Sequence, residues 1–159
     1  MSAANQKAVD DANVLSDLFV DVLHVVADHG RLGLLEFPED LGKTVLGRPA
    51  SLWQDQGLRA LAARGFQRGV FYQDEWADIA YVEPTGLLTN IEAIGSNPRF
   101  HVGWPVFKAD GSYAGPLPPR SSYGVGLIGK SASGEFATKP SAAYPPGVVM
   151  TLAAAILTS

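Results

Sequence analysis

LGLLEFPED, residues 32–40, is the stretch on which the reading of the fold turns. Its apolar and small residues run straight into Glu36, and Pro38 then stops the run. An apolar run without polar alternation, bounded by Gly30 and Pro38, predicts a central strand covered on both faces. A charged side chain at the tip of such a strand falls where open α/β sheets place their binding crevice. Glu36 is therefore the first candidate site residue.

Upstream, Val14, Leu15, Leu18, Phe19, Val22, Val25 and Val26 recur at helical spacing and predict a helix over Asn13–His29 with one broad apolar face. Asp10, Asp11 and Asn13 are its expected N-caps, and Gly30 its stop. Downstream, Pro49 opens a second helical stretch, Ala50–Arg64, with Gly57 as its expected break. Arg68–Gln73 and Gly86–Ile91 predict two more strands. Strands alternating with helices predict a mostly parallel α/β sheet. From about residue 92 to 144, Gly, Pro and Ser dominate, and irregular structure with hairpins is expected. Asp110-Gly111 is a hairpin turn signal, and Tyr123–Ile128 a further short strand. Pro145-Pro146 opens a last helix over Gly147–Leu157. The expectation is one α/β domain over 1–159, with a core at 13–91, a loop and hairpin region at 92–144 and a terminal helix at 145–158.

Bulk composition narrows the function classes. The chain has 159 residues, 47% of them hydrophobic and only 18% charged, which excludes a disordered chain. A net charge of −4 argues against a strong nonspecific grip on nucleic acid. The absence of cysteine removes thiolate metal sites and cysteine nucleophiles, and fits a reducing intracellular compartment. The N-terminus lacks the pattern of a secretory signal. The longest apolar run, Val148–Leu157, is too short to span a bilayer.

The motifs argue against catalysis. Gly124–Gly129 matches GxGxxG, but a Pro/Ser-rich stretch precedes it and a turn-rich one follows, so no strand–loop–helix unit forms and no nucleotide cofactor is expected. His24, His29 and His101 lack metal-ligand spacing, and no metal is expected. His29, near a helix end, reads as a cap. Ser121-Ser122 sit in no nucleophile elbow. Among the acids Glu36, Glu39, Asp40, Asp74, Glu75 and Asp78, only Glu36 carries the strand-end argument; the others read as solvated loop charges. Trp53, Trp76, Trp104, Phe100, Tyr113 and Tyr123 supply aromatics that pack under the loops or anchor a partner. Trp76, Phe100 and Trp104 are the candidate anchors.

One resemblance covers much of the chain. LLEFPEDLG (34–42), GRPASLWQ (47–54), EPTGLLTNI (83–91), GPLP (115–118), LIG (127–129) and AAYPPGV (142–148) together resemble the C-terminal half of DNA cytosine-5 methyltransferase-like proteins of phages and mobile elements. In that family a strand ends on a Glu-Asn motif whose Glu contacts the target base. The resemblance puts Glu36 there, with Pro38 closing the motif. It also aligns Glu83, Pro84 and Thr85, leading into Gly86–Asn90, with a later basic motif. Phe37 replaces the family's Asn, Glu83 reverses a positive charge, and the nucleophilic cysteine is missing. Covalent attack on cytosine needs that thiolate. The resemblance therefore implies half of a doubly wound, Rossmann-like sheet that is catalytically silent, with Glu36, Pro38, Glu83, Pro84, Thr85 and Asn90 as vestigial positions. The expected function is a non-catalytic binding or assembly subunit, docking to a protein partner or to itself. The rival expectation is a nucleic-acid-modifying subunit completed by a partner chain.

Overall fold

A computed structural model gives the structure and describes residues 2–43, 47–76, 82–119 and 144–159. Strands β1 (Leu34–Pro38), β2 (Gln67–Tyr72), β3 (Pro84–Thr89) and β4 (His101–Val102) form one sheet in the order β1-β3-β2-β4. Every neighbouring pair is antiparallel, with Leu35 opposite Leu88 and Arg68 opposite Leu88 on the other side. The expected mostly parallel, doubly wound sheet is therefore wrong. So is the central placement of residues 32–37, because β1 lies at the sheet edge. The physical reason is specific. Continuous apolar runs mark burial on both faces, and parallel sheets are only the commonest way to achieve it. Here helices cover both faces of an antiparallel sheet, and its strands read the same.

Helix α1 runs Ala3–Asp28, starting well before Asn13. Its cap is Ser2, whose Oγ accepts from the Asn5 N–H at 3.2 Å, so Asp10, Asp11 and Asn13 lie inside the helix. The predicted stop holds. Gly30 adopts φ +58°, its N–H donates to Ala27 O at 3.1 Å, and Arg31 N–H donates to Val26 O at 2.9 Å. His29 is the C-cap, with Nδ1 2.8 Å from Val25 O.

The second helical stretch is broken, but at Asp55 rather than at Gly57. A 3₁₀ turn, Leu52–Gln54, precedes α2 (Gln56–Ala60), and another, Leu61–Arg64, follows it. Asp55 Oδ1 caps α2 by accepting from Leu58 N–H at 2.8 Å. Gly57 has a packing role: a Cβ there would meet Val20 Cγ1 at 2.9 Å, so glycine lets α1 come close.

The sheet carries a core on each face. On one side Val20 and Leu23 of α1 join Trp53, Leu58, Leu61, Phe66 and Leu88. On the other, α3 (Glu92–Gly95) and α4 (Pro146–Leu157) supply Ile94, Val148 and Ala155 against Phe71, Trp76, Leu87 and Phe100. Leu87 and Leu88 are neighbours that feed opposite cores, as strand geometry requires. The turn signal at Asp110-Gly111 joins β5 (Val106–Phe107) to β6 (Tyr113–Gly115), with Gly111 at φ +85°. The expectations at Asp78, at Ser121-Ser122 and over Tyr123–Ile128 and Gly124–Gly129 lie outside the described residues.

Candidate functional site

Glu36 sits within β1 opposite Leu87, on the face that α4 covers, rather than at the mouth of a crevice. It is half-buried. The Tyr144 hydroxyl hydrogen-bonds its carboxylate, and Glu83 stands near enough to repel it. Desolvation dominates and pushes the Glu36 pKa above the ordinary carboxylate value, while burial and the two carboxylates push Tyr144 up. Glu36 is thus held by one tyrosine and faced by a second carboxylate, Glu83.

The other resemblance positions act as ties. Pro38 O accepts from Trp53 Nε1 at 2.8 Å. Pro84 O accepts from Glu39 N–H at 2.9 Å, and Thr85 Oγ1 from Gln73 Nε2 at 3.0 Å. Asn90 Oδ1 accepts from Gly33 N–H at 2.7 Å while its Nδ2 donates to Arg31 O at 2.8 Å, clamping the link between α1 and β1. Glu83 carries the charge that faces Glu36. These bonds are all within the chain.

Two of the three proposed anchors are placed inside. Trp76 and Phe100 are buried and stacked at 5.4 Å, with Phe71 edge-on to both. Trp104 is half-buried, packs on the first core and takes Arg59 over its ring at 5.1 Å. In this arrangement Trp76 and Phe100 offer no surface to a partner.

The sequence reading missed the densest polar network. Arg68 of β2 and Glu39 form an ion pair with both side chains fully buried. Arg68 Nη1 donates to Gly103 O at 2.6 Å, and its guanidinium lies 4.3 Å from the Trp53 ring centre. Tyr113 OH donates to Glu39 Oε1 at 2.9 Å and accepts from Leu117 N–H at 3.1 Å. Burial pushes Glu39 up and Arg68 down, and the pair pulls each back. Asp40, also buried, accepts from Gln54 Nε2 and Gly42 N–H. The network bolts the end of β1 to β2 and to the hairpin, with Arg68, Glu39 and Asp40 buried and Tyr113 and Gln54 half-buried. One signal was legible: a lone arginine inside the apolar strand RGVFY requires a buried counter-charge.

The largest departure from the expected packing lies on α1. Val20 and Leu23 face the sheet, while Val14, Leu15, Leu18, Phe19, Val22 and Val25 remain 46% to 69% exposed. The stripe that predicted this helix is the face turned to solvent. Beside it runs an open groove of about 370 Å³, lined by Ala12, Ser16 and Asp17 of α1 and by Phe37, Leu52 and Asp55. Among the described residues no group of His, Asp or Glu is arranged to hold a metal ion, and no helix is long and apolar enough to cross a membrane.

No family model, no curated protein and no solved structure matches this chain.

Proposed function

We propose that this protein is a non-catalytic binding or assembly subunit whose docking surface is the exposed apolar stripe of α1. The observation that carries the reading is that six large apolar side chains, on one face of the longest helix, are left uncovered. An exposed contiguous apolar patch is the mark of an interaction site. At about 25 cal/mol per Å², covering a half-exposed Leu or Val contributes on the order of 1 kcal/mol, so the six together offset a loss of freedom on association of similar size, and flanking contacts supply the surplus. The long-range ties of the fold leave this face free: Asn90, Arg68 and the Asp28–Arg64 ion pair all act elsewhere. The antiparallel sheet removes the half-module architecture from the argument. Glu36, held under Tyr144, supplies no ground for the nucleic-acid-modifying alternative.

The test is a photo-crosslinking residue placed at Val22 in the cell of origin. A discrete adduct of higher mass is expected there and not from the same residue at exposed Ala62. Absence of any adduct at position 22, with the protein folded and expressed, would overturn the reading.

A further inference from the structure

We infer that the occupant of this surface is a basic amphipathic helix of another protein, packed along α1 as in a short coiled coil. The inference rests on the assembly reading above and adds the chemistry of the partner. Leu15, Leu18, Val22 and Val25 are spaced three, four and three apart, the a/d spacing of a coiled-coil seam. All four are about half exposed, so the seam is formed and unoccupied by the described residues. From residue 15 to residue 25 the seam is about 15 Å long at 1.5 Å rise per residue.

Charge then selects the occupant. Helix α1 holds five aspartates against a single lysine, Lys7, and Lys7 is already paired with Asp11 at 2.6 Å. Four of the acids, Asp10, Asp17, Asp21 and Asp28, are spaced seven, four and seven apart. At about 100° per residue they fall within about 40° of one another, along one edge of the seam. The opposite edge carries Phe19 and Val26, without charge. Asp28 is neutralised by Arg64, which leaves Asp10, Asp17 and Asp21 as the acidic rail. An apolar seam with one acidic rail complements a helix with an apolar seam and a lysine- or arginine-rich edge.

The same pattern disfavours the other occupants. A second copy packed antiparallel sets Asp21 against Asp21 along the shared edge. Packed parallel, it sets the acidic rail against the other copy's Phe19 and Val26, which carry no counter-charge. An anionic lipid surface repels the rail. Only a basic partner satisfies the seam and the rail together.

The experiment uses the purified full chain and a labelled three-heptad peptide with Leu at both seam positions and Lys at the flanking ones, read by fluorescence anisotropy. The control is the same peptide with Glu for Lys. The Lys peptide is expected to bind at least about tenfold more tightly than the Glu peptide, and less tightly as salt is raised. Asp17→Lys with Asp21→Lys is expected to reverse that preference. Asp21→Lys alone, which does not line the groove, is expected to shift it part of the way. Leu18→Ser with Val22→Ser is expected to abolish binding of both peptides. Equal or tighter binding of the Glu peptide overturns the basic partner. It leaves the assembly reading intact if the adduct at Val22 still forms. A concentration-dependent dimer of the free chain, lost in the Leu18→Ser, Val22→Ser variant, identifies a second copy and also overturns the basic partner. No binding of either peptide, together with no adduct at Val22, overturns both readings.

Discussion

Strand β3 and helix α1 both carry large apolar side chains, yet these end in opposite environments. In β3 every residue from Thr85 to Thr89 is buried, and the strand lies between β1 and β2 with a helical layer on each face. In α1 only Val20 and Leu23 are buried. The difference teaches that apolar content records a demand for cover, not where the cover comes from. A strand inside a sheet has neighbours on four sides by construction. A helix on the outside of a layered domain touches it along one face, and a second apolar stripe on that helix is left uncovered by the described residues.

That contrast can be broken by mutation. The largest effect belongs to the buried ion pair that anchors the covered region. Arg68→Leu leaves Glu39 buried and uncompensated, and a loss of about 3–5 kcal/mol is expected in chemical denaturation. Adding Glu39→Leu is expected to recover most of it. If the single variant unfolds like the wild type, the pair has no structural role.

Next comes Leu23→Ala, on the covered face of α1, with an expected cost of about 2–4 kcal/mol from lost burial and the cavity left behind. An unchanged midpoint would mean that α1 does not pack on the sheet as described.

A smaller effect concerns Glu36. Its pKa is raised on folding, chiefly by desolvation. As pH climbs out of the ordinary carboxylate range, the unfolded chain has released this proton while the folded chain still holds it. Stability therefore falls across that window, and levels off once Glu36 ionises in the fold too. Below the window both states are protonated and the residue contributes no slope. Glu36→Gln is expected to flatten this decline in unfolding curves taken at a series of pH values. Parallel pH profiles for the two proteins would show that Glu36 is as well solvated folded as unfolded.

The smallest stability effect sharpens the comparison most. Leu18→Ala, on the exposed stripe, is expected to change stability by no more than about 0.5 kcal/mol. A loss as large as that of Leu23→Ala would place the stripe in the core and remove the surface on which the proposed function stands.

Much of the local structure was legible in the residues. Gly30 fixed the end of α1 because only glycine adopts its φ of +58° without strain. Asp110-Gly111 marked the hairpin and Pro145-Pro146 the start of α4, each through a backbone preference of one or two residues. The candidate site was much less legible. Glu36 was singled out by the strand-end rule, which presumes a parallel sheet, and the antiparallel sheet moved it to an edge beneath Tyr144. Trp76 and Phe100 have the composition of surface anchors and of core alike, and only contact with Phe71 decides between the two. Arg68, Glu39 and Tyr113 are far apart in the chain, so their network has no local signature beyond an arginine in an apolar strand.

The sequence by itself determined where α1 ends, where β1, β2 and β3 lie and where the hairpin turns, because periodicity, caps and turn residues act over a few neighbouring positions. It also determined that α1 has an apolar stripe and an acidic rail, since helical geometry follows from spacing alone. The tertiary structure decided that the sheet is antiparallel, that β1 is an edge, and that α1 presents Val20 and Leu23 inward and its stripe outward. Strand direction and helix rotation are set by contacts between segments distant in the chain, such as Leu35 with Leu88 and Gly57 with Val20. Side-chain patterns satisfy either arrangement equally well until those contacts form.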